Sequence, residues 1–363
     1  MRLELIRRSH QSRLMTVASP LLAFVLTLAT GFVMFALTGV DPVAAIYVYF
    51  VEPWTAQWSV EELFVKAVPI ILVAIGLAFC YRSNVWNIGA EGQLVAGAIA
   101  GSALPILFPA FEGPLVLPLM LLMGIAGGAL YGVIPAFLKV RFGANEILTS
   151  LMLVYVAQLF VDYLARGPWR NPEGMNFPDS RPFSPSQTLP VIFGDDIRLS
   201  LVFVLIAVLV AWFVLGRTLI GFQISVLGQA PRAGAFAGFS RNRMIFVAFL
   251  IAGGLAGLAG ISEVAGPTGA LRTVVSPGYG FTAIIVAFLG RLHPVGMLIA
   301  GVLLALTFLG GEGAQFALGI SDQTTQVFQG MLLFYVLACD TFIFYRPRLV
   351  MGRSAGLTGG SGS

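Results

Sequence analysis

Long apolar stretches separated by short polar ones run through almost the whole chain. A membrane-spanning helix needs about 20 mostly apolar residues. Ten stretches approach or reach that length: 14–38, 61–80, 93–109, 115–137, 146–165, 198–215, 244–262, 279–290, 295–310 and 325–345. The pattern predicts an all-α, polytopic transmembrane bundle with both termini on the inner side. Ten spans split into two groups of five with opposite orientations, which permits an inverted repeat, although no sequence repeat is visible. Segment 279–290 is short: about 12 residues rise roughly 18 Å, against a hydrocarbon core of about 30 Å. It follows a Gly/Pro-rich stretch from Gly266 to Gly278, so it must be extended, tilted or broken. Interrupted spans of this kind line solute paths in transporters; a bent helix packed within protein explains the same pattern.

Composition agrees. The chain is 58% hydrophobic and 10% charged, where soluble domains carry about 25% charged residues. The net charge of +4 raises the question of an acidic partner. The basic residues are scattered between apolar runs, however, so they read as topology determinants and not as a nucleic-acid patch. With the N-terminus inside, only Lys66, Arg166, Arg170, Arg181, Arg198 and Arg272 of the 21 basic residues fall outside. Residues 1–13 are then a cytoplasmic segment and 14–345 the transmembrane domain. Residues 346–363 form a cytoplasmic tail ending in a flexible, linker-like Gly/Ser stretch. The first apolar run is longer than a signal-peptide core of about 7–15 residues, which predicts an uncleaved first helix. Loop 166–197 lies outside and carries six prolines, while loop 216–243 lies inside with four arginines and no acid. Val40–Ser59, with Tyr47, Tyr49, Trp54 and Trp58, reads as an amphipathic piece in the outer interface.

Several chemistries are excluded or weakened. Cys80 and Cys339 are far apart, as are His10 and His293, which gives no metal spacing and no nucleophile–base arrangement. A membrane enzyme therefore finds little support. Neither lysine sits in a glycine-rich phosphate loop, so any ATP that drives this protein is hydrolysed on another chain. No dense set of intramembrane acids resembling a proton relay is apparent, which weakens the rival reading of an ion-gradient-driven secondary transporter. Gly124, Gly128 and Gly132, Gly253 and Gly257, and Gly97 and Gly101 recur at four-residue spacing. They point to close helix packing, not to chemistry.

Three constellations remain. In Asn84–Gln93, between the second and third spans, Asn87, Glu91 and Gln93 offer donors and acceptors beside Gly89 and Gly92. Ionisable groups at membrane depth are functional candidates, while a solvated cytoplasmic turn explains the composition equally well. In Gly143–Met152, Asn145 and Glu146 suit a helix N-terminus and its dipole, with Thr149 and Ser150 about one turn on. In the inner loop, Gln229, Pro231, Arg232, Ala235, Phe236 and Gly238 belong to a short helix of small residues, started by Pro231 and suited to docking a soluble partner. An interfacial helix without a partner is the plainer alternative.

Together these stretches resemble permease subunits of the ribose/branched-chain-amino-acid class of ABC importers, in particular the nucleoside branch served by basic-membrane-protein-type lipoproteins. Trp86–Gln93, Asn145–Leu153, Val226–Gly238, Ser276–Phe281 and Leu289–Gly296 are similar to family phrases and occur in family order. Gln229 and Phe236 replace the usual Asn and Tyr. The resemblance implies a non-enzymatic subunit of the bacterial inner membrane. It needs no cofactor of its own, since ATP and magnesium sit on an ATPase partner with two nucleotide-binding domains. It further implies a second related permease, a heterodimer being usual, a substrate-binding lipoprotein and a nucleoside-like solute. A sugar or flavin-like solute is the alternative. Asn87, Glu91, Gln93, Asn145, Glu146 and Thr149 are the path candidates. Coupling to the ATPase falls to Gln229, Pro231, Arg232, Ala235, Phe236 and Gly238.

Overall fold

A computed structural model describes residues 2–7 and 13–350. His10, the remainder of the 8–12 stretch and the tail from residue 351 onward lie outside the described residues. All ten predicted stretches fall on helices: α1 (Arg13–Leu37), α3 (Gln57–Arg82), α4 (Ala90–Leu107), α5 (Val116–Phe142), α6 (Glu146–Arg166), α7 (Ser200–Arg217), α10 (Arg241–Glu263), α11 (Tyr279–Leu289), α12 (Pro294–Leu318) and α13 (Asp322–Phe344). The shorter α2 (Pro42–Phe50), α8 (Leu219–Gln229) and α9 (Pro231–Phe236) complete the set. Among the described residues, eight helices are long and apolar enough to cross a membrane, and α11 is a shorter apolar helix.

The chain divides into two compact units. One comprises residues 1–42 and 330–363. There, strand β1 (Arg2–Arg7) pairs antiparallel with a C-terminal strand, Tyr345–Val350, with Arg2 opposite Val350. Residues 346–350, read from sequence as the start of a tail, therefore belong to a strand.

The other unit, residues 43–329, holds the bundle. Its axis is α3, buried almost from end to end and packed against α7, α10, α11 and α12. Helices α4, α5 and α10 form a tight triplet, and glycine makes it tight. A β-carbon on Gly97 would collide with the backbone of Gly257, and one on Gly128 with the carbonyl of Gly253. The spaced glycines of three helices thus face one another, and the backbones approach as closely as that residue allows. The outward faces of α5, α6 and α7 carry exposed Leu122, Leu130, Leu159, Leu209 and Phe213. Such a surface suits lipid and would be costly in water.

The chain break expected before 279–290 is present. After α10 the backbone makes one wide turn, Val264–Thr268, in which Gly266 leaves helical geometry. It then runs irregularly to α11, whose 11 residues rise only about 16 Å. A break frees carbonyls that must find donors. The Pro-rich loop supplies them: the amides of Leu189, Phe183 and Ser180 bond the carbonyls of Ala265, Gly269 and Leu271 at 2.7, 2.8 and 2.9 Å. Buried Glu61 pins the same loop. It accepts the amides of Asp195 and Asp196 at 2.8 and 3.0 Å, at the turn joining strands β2 (Val191–Phe193) and β3 (Ile197–Arg198).

Segment 40–59 departs from the expected interfacial piece. Tyr47, Trp54 and Trp58 point outward, but Tyr49 is buried and its hydroxyl meets Thr325 Oγ1 at 2.8 Å. Helical periodicity explains this, because α2 turns Ala45, Val48 and Tyr49 onto one inward face.

Candidate functional site

Two of the three sequence constellations meet. After α3 ends, Asn84 takes a left-handed turn (φ 55°), and the chain runs non-helically until α4 opens at Ala90. Asn87 and Gln93 are fully buried with their amides paired face to face: Asn87 Nδ2 donates to Gln93 Oε1 at 3.0 Å, and Gln93 Nε2 donates to Asn87 Oδ1 at 3.2 Å. Asn87 Oδ1 also accepts the Gly89 amide at 3.0 Å. The Tyr81 hydroxyl donates to the Asn87 carbonyl at 3.0 Å, and its ring stacks on Phe288. Gly89 lies so near the carbonyl of Ser150 that a β-carbon would sit 2.6 Å from it, and Gly92 faces the Val154 backbone in the same way. The glycines of the first motif are therefore seats for α6, the helix of the second.

At the start of α6, Asn145 Oδ1 caps the Ile147 amide at 2.9 Å, and Thr149 Oγ1 donates back to the Asn145 carbonyl at 3.0 Å. Glu146 forms an ion pair with Lys139 and accepts the Trp86 amide at 3.5 Å. Lys139, Asn145, Glu146 and Ile147 border a 480 Å³ cavity with Arg241 and Asn242. The structure thus separates the six path candidates: Asn87, Glu91 and Gln93 lie in the interior, whereas Asn145, Glu146 and Thr149 lie at a helix rim. Asn87→Ala strands the Gly89 amide and both amide atoms of Gln93. An unpartnered buried polar group costs about 1–3 kcal/mol, so a clear drop in the unfolding temperature in detergent is expected.

Glu91 is 1% exposed. Its Oε2 accepts the Gly280 amide at 2.6 Å, joining the first turn of α4 to the first turn of α11. Ser276 Oγ accepts the Gly278 and Tyr279 amides at 3.1 and 2.9 Å, opening α11 beside the same carboxylate. Two helix N-termini, each carrying partial positive charge, converge on one acid. Glu91 Oε1 has no hydrogen-bond partner among the described residues.

The third constellation forms helices α8 and α9, with Pro231 in the first turn of α9 and Gly238 (φ +81°) at its end. Gln229, Arg232 and Ala235 are exposed, and Phe236 is 94% exposed. The element is not free-hanging. Gly228 rests directly on the Arg82 carbonyl, with no room for a β-carbon. Arg82 Nε in turn donates to the Leu292 carbonyl, just past α11, at 3.1 Å. A 570 Å³ cavity lies between these parts, lined by Arg82, Asn84, Ser225, Gln229 and Arg291.

A second polar cluster escaped the sequence reading. Lys66 on α3 pairs with Glu62 at 3.1 Å and with Glu312 of α12 at 3.0 Å. Glu263 is the last residue of α10 and Tyr279 the first of α11, and both helices pack against α3. These residues are up to 250 positions apart, and only the fold assembles them. A lysine alone in an apolar run was the available signal.

Residues 59–337 match the family described as the permease component of branched-chain amino acid transport systems. The chain belongs to that family. It is also similar to the glucose ABC transporter permease protein TsgB13 of Haloferax volcanii, with 37% identity over 92% of this chain and 90% of that protein. The guanosine ABC transporter permease protein NupP of Bacillus subtilis is 28% identical over 94% of this chain and 97% of its own. NupQ, a second guanosine permease of the same organism, is 30% identical over 67% and 78%.

The permease is accordingly a multi-pass membrane subunit of an ABC transporter and not itself an enzyme, since ATP hydrolysis resides on a separate subunit. Membership implies that ATPase and a second permease as partners. The stand-alone secondary transporter falls away, and the charged cluster must be understood within an ATP-driven assembly.

Proposed function

We propose that this permease forms half of the translocation path of a bacterial inner-membrane importer for nucleosides. In this reading it has ten spans with both termini in the cytoplasm. A lipoprotein delivers the solute to the outer face, a related permease completes the path, and an ATPase with two nucleotide-binding domains docks on the inner face. The exposed Phe236, with Gln229, Arg232 and Ala235, is the contact for that ATPase. A sugar is the second reading, favoured by the 37% identity to a glucose permease.

One observation carries the coupling argument: α8 sits with Gly228 on the Arg82 carbonyl, while Arg82 also holds the end of α11 at Leu292. Any movement of α9 by an ATPase reaches α3 through a backbone contact at Gly228 and passes on to the end of α11 through the Arg82 side chain. The far end of α11 is held by Glu91. A rigid element with two alternative seats is what ATP closure must bias.

The test is Gly228→Ala in the reconstituted assembly. The added methyl drives α8 off Arg82, so ATP hydrolysis should persist while nucleoside uptake per ATP falls about tenfold, a coupling loss of roughly 1.4 kcal/mol. Equal ratios in variant and parent would remove this contact from the coupling route. Phe236→Ala, at a side chain with no packing role, should leave thermal stability unchanged and weaken co-purification of the ATPase.

A further inference from the structure

We infer that the 570 Å³ cavity between α8 and the ends of α3 and α11 binds the phosphate head group of an anionic membrane lipid, held by Arg82 and Arg291. The inference rests on the inner-face placement of α8 and α9 proposed above and assigns a regulatory ligand to that joint.

The lining is cationic and nothing in it compensates. Half-buried Arg82 and Arg291 enter the cavity with Asn84, Ser225 and Gln229, and no carboxylate lines it. The inner loop 216–243, which carries α8, adds four arginines and no acid. Arg82 commits its Nε to the Leu292 carbonyl at 3.1 Å and forms no ion pair among the described residues. Its Nη groups make no hydrogen bond among those residues, which leaves four N–H donors for a ligand. Three lining residues hold a left-handed backbone: Asn84 (φ 55°), Arg291 (φ 56°) and Leu292 (φ 54°). Asparagine tolerates that conformation, whereas arginine and leucine adopt it rarely. Glycine would close the turn after α11 at less cost. Residues held in this way concentrate at ligand clamps and switches, and here the conformation belongs to an arginine that lines the cavity.

The surroundings select a lipid over a soluble anion. The guanidinium fork matches phosphate oxygens two at a time, and basic pockets between membrane helices on the cytoplasmic side take anionic head groups. Helix α8 leaves Leu219, Ile220 and Phe222 exposed, as a helix lying in the membrane interface does. Phe79 precedes Arg82 by three residues on α3, which puts the two on one helix face. Phe79 lines a second cavity, of 310 Å³, whose walls on α3, α5, α7 and α10 are wholly apolar. A phosphate at the arginines with an acyl chain running along α3 uses both cavities. A soluble anion, or a carboxylate of the docked ATPase, uses the arginines alone. Arg82 also carries Gly228 on its carbonyl and holds Leu292 through its side chain. A seated phosphate therefore fixes the joint through which α9 reaches α3 and α11, and coupling depends on the lipid.

The test is equilibrium binding of radiolabelled short-chain phosphatidylglycerol to the complete assembly in neutral detergent. Short-chain phosphatidylcholine, glycerophosphoglycerol (the head group without chains) and inorganic phosphate are the comparators. Phosphatidylglycerol should bind about tenfold more tightly than phosphatidylcholine. Ser225→Glu places a carboxylate between the arginines, and Arg291→Asn removes one charge with a residue that tolerates the left-handed turn. Both should reduce phosphatidylglycerol binding to the phosphatidylcholine level, and Arg291→Lys should restore part of it. In vesicles, uptake per ATP by the parent should rise with added phosphatidylglycerol, and Arg291→Asn should erase that rise. Equal affinity for the two lipids in the parent, or unchanged phosphatidylglycerol binding in both variants, overturns the site. Glycerophosphoglycerol or phosphate binding as tightly as phosphatidylglycerol overturns the lipid in favour of a soluble anion. Phosphatidylglycerol that binds only once the ATPase is stripped away gives the cavity to the ATPase and overturns the proposal. Absence of nucleoside uptake in the parent would strike the importer reading and leave the lipid affinities standing.

Discussion

Gly257→Leu abolishes the folded permease. Gly257 lies where α4, α5 and α10 cross: a β-carbon there runs into the Gly124 carbonyl and stands 3.0 Å from the Gly128 Cα, and a β-carbon on Gly97 would meet Gly257 in turn. Every neighbour is backbone, so no side-chain rotation relieves the clash and whole helices must separate. Overpacking a core with added methylenes costs about 1–3 kcal/mol where side chains can give way. Here the cost exceeds that, against a total stability of about 5–15 kcal/mol for ordinary folded domains. The expected result is loss of the monodisperse peak on size exclusion in detergent. Gly216→Ala is the matched control, because no atom lies within 4 Å of the added carbon; it should elute and melt as the parent does. A well-behaved Gly257→Leu protein would contradict the glycine-seam packing.

Glu91→Ala has the largest expected effect on transport. Removing the carboxylate strands the Gly280 amide in the interior and releases the first turn of α11 from α4. Losing a hydrogen bond to a charged group costs about 1.5–3 kcal/mol. If that energy distinguishes the transport-competent packing from its alternative, its loss moves the population by a factor of about 10–150. Uptake should therefore fall at least tenfold at undiminished expression. Glu91→Gln keeps an acceptor oxygen for Gly280 and should lie between Ala and the parent. Normal uptake by the Ala variant would separate Glu91 from transport and leave it a packing residue.

The helices were legible because an apolar run of about 20 residues has few other uses. The short α11 was legible for the complementary reason, that Gly266 to Gly278 cannot continue a helix. The burial of Tyr49 was not, since aromatic residues in a row read as an interface belt until a helix turns one of them inward against Thr325. At the site, sequence found Asn87, Glu91 and Gln93 but not their partners. Asn87 and Gln93 are six positions apart and bond each other, while Glu91 bonds a residue 189 positions away. Glu62, Lys66, Glu263 and Glu312 were counted as charges near helix ends, where acids say little about topology. Their meaning depends on three helices meeting, which no local pattern encodes.

The account centres on a path opened by ATP hydrolysed on a partner and transmitted through α8 and α9. Its most direct test is accumulation of radiolabelled nucleosides in vesicles holding the permease, its partner permease, the ATPase and the lipoprotein, with the ATPase intact or disabled and the ion gradient intact or collapsed. The account predicts uptake that disappears with the disabled ATPase and survives collapse of the gradient. Uptake that ignores the ATPase and follows the gradient would contradict it.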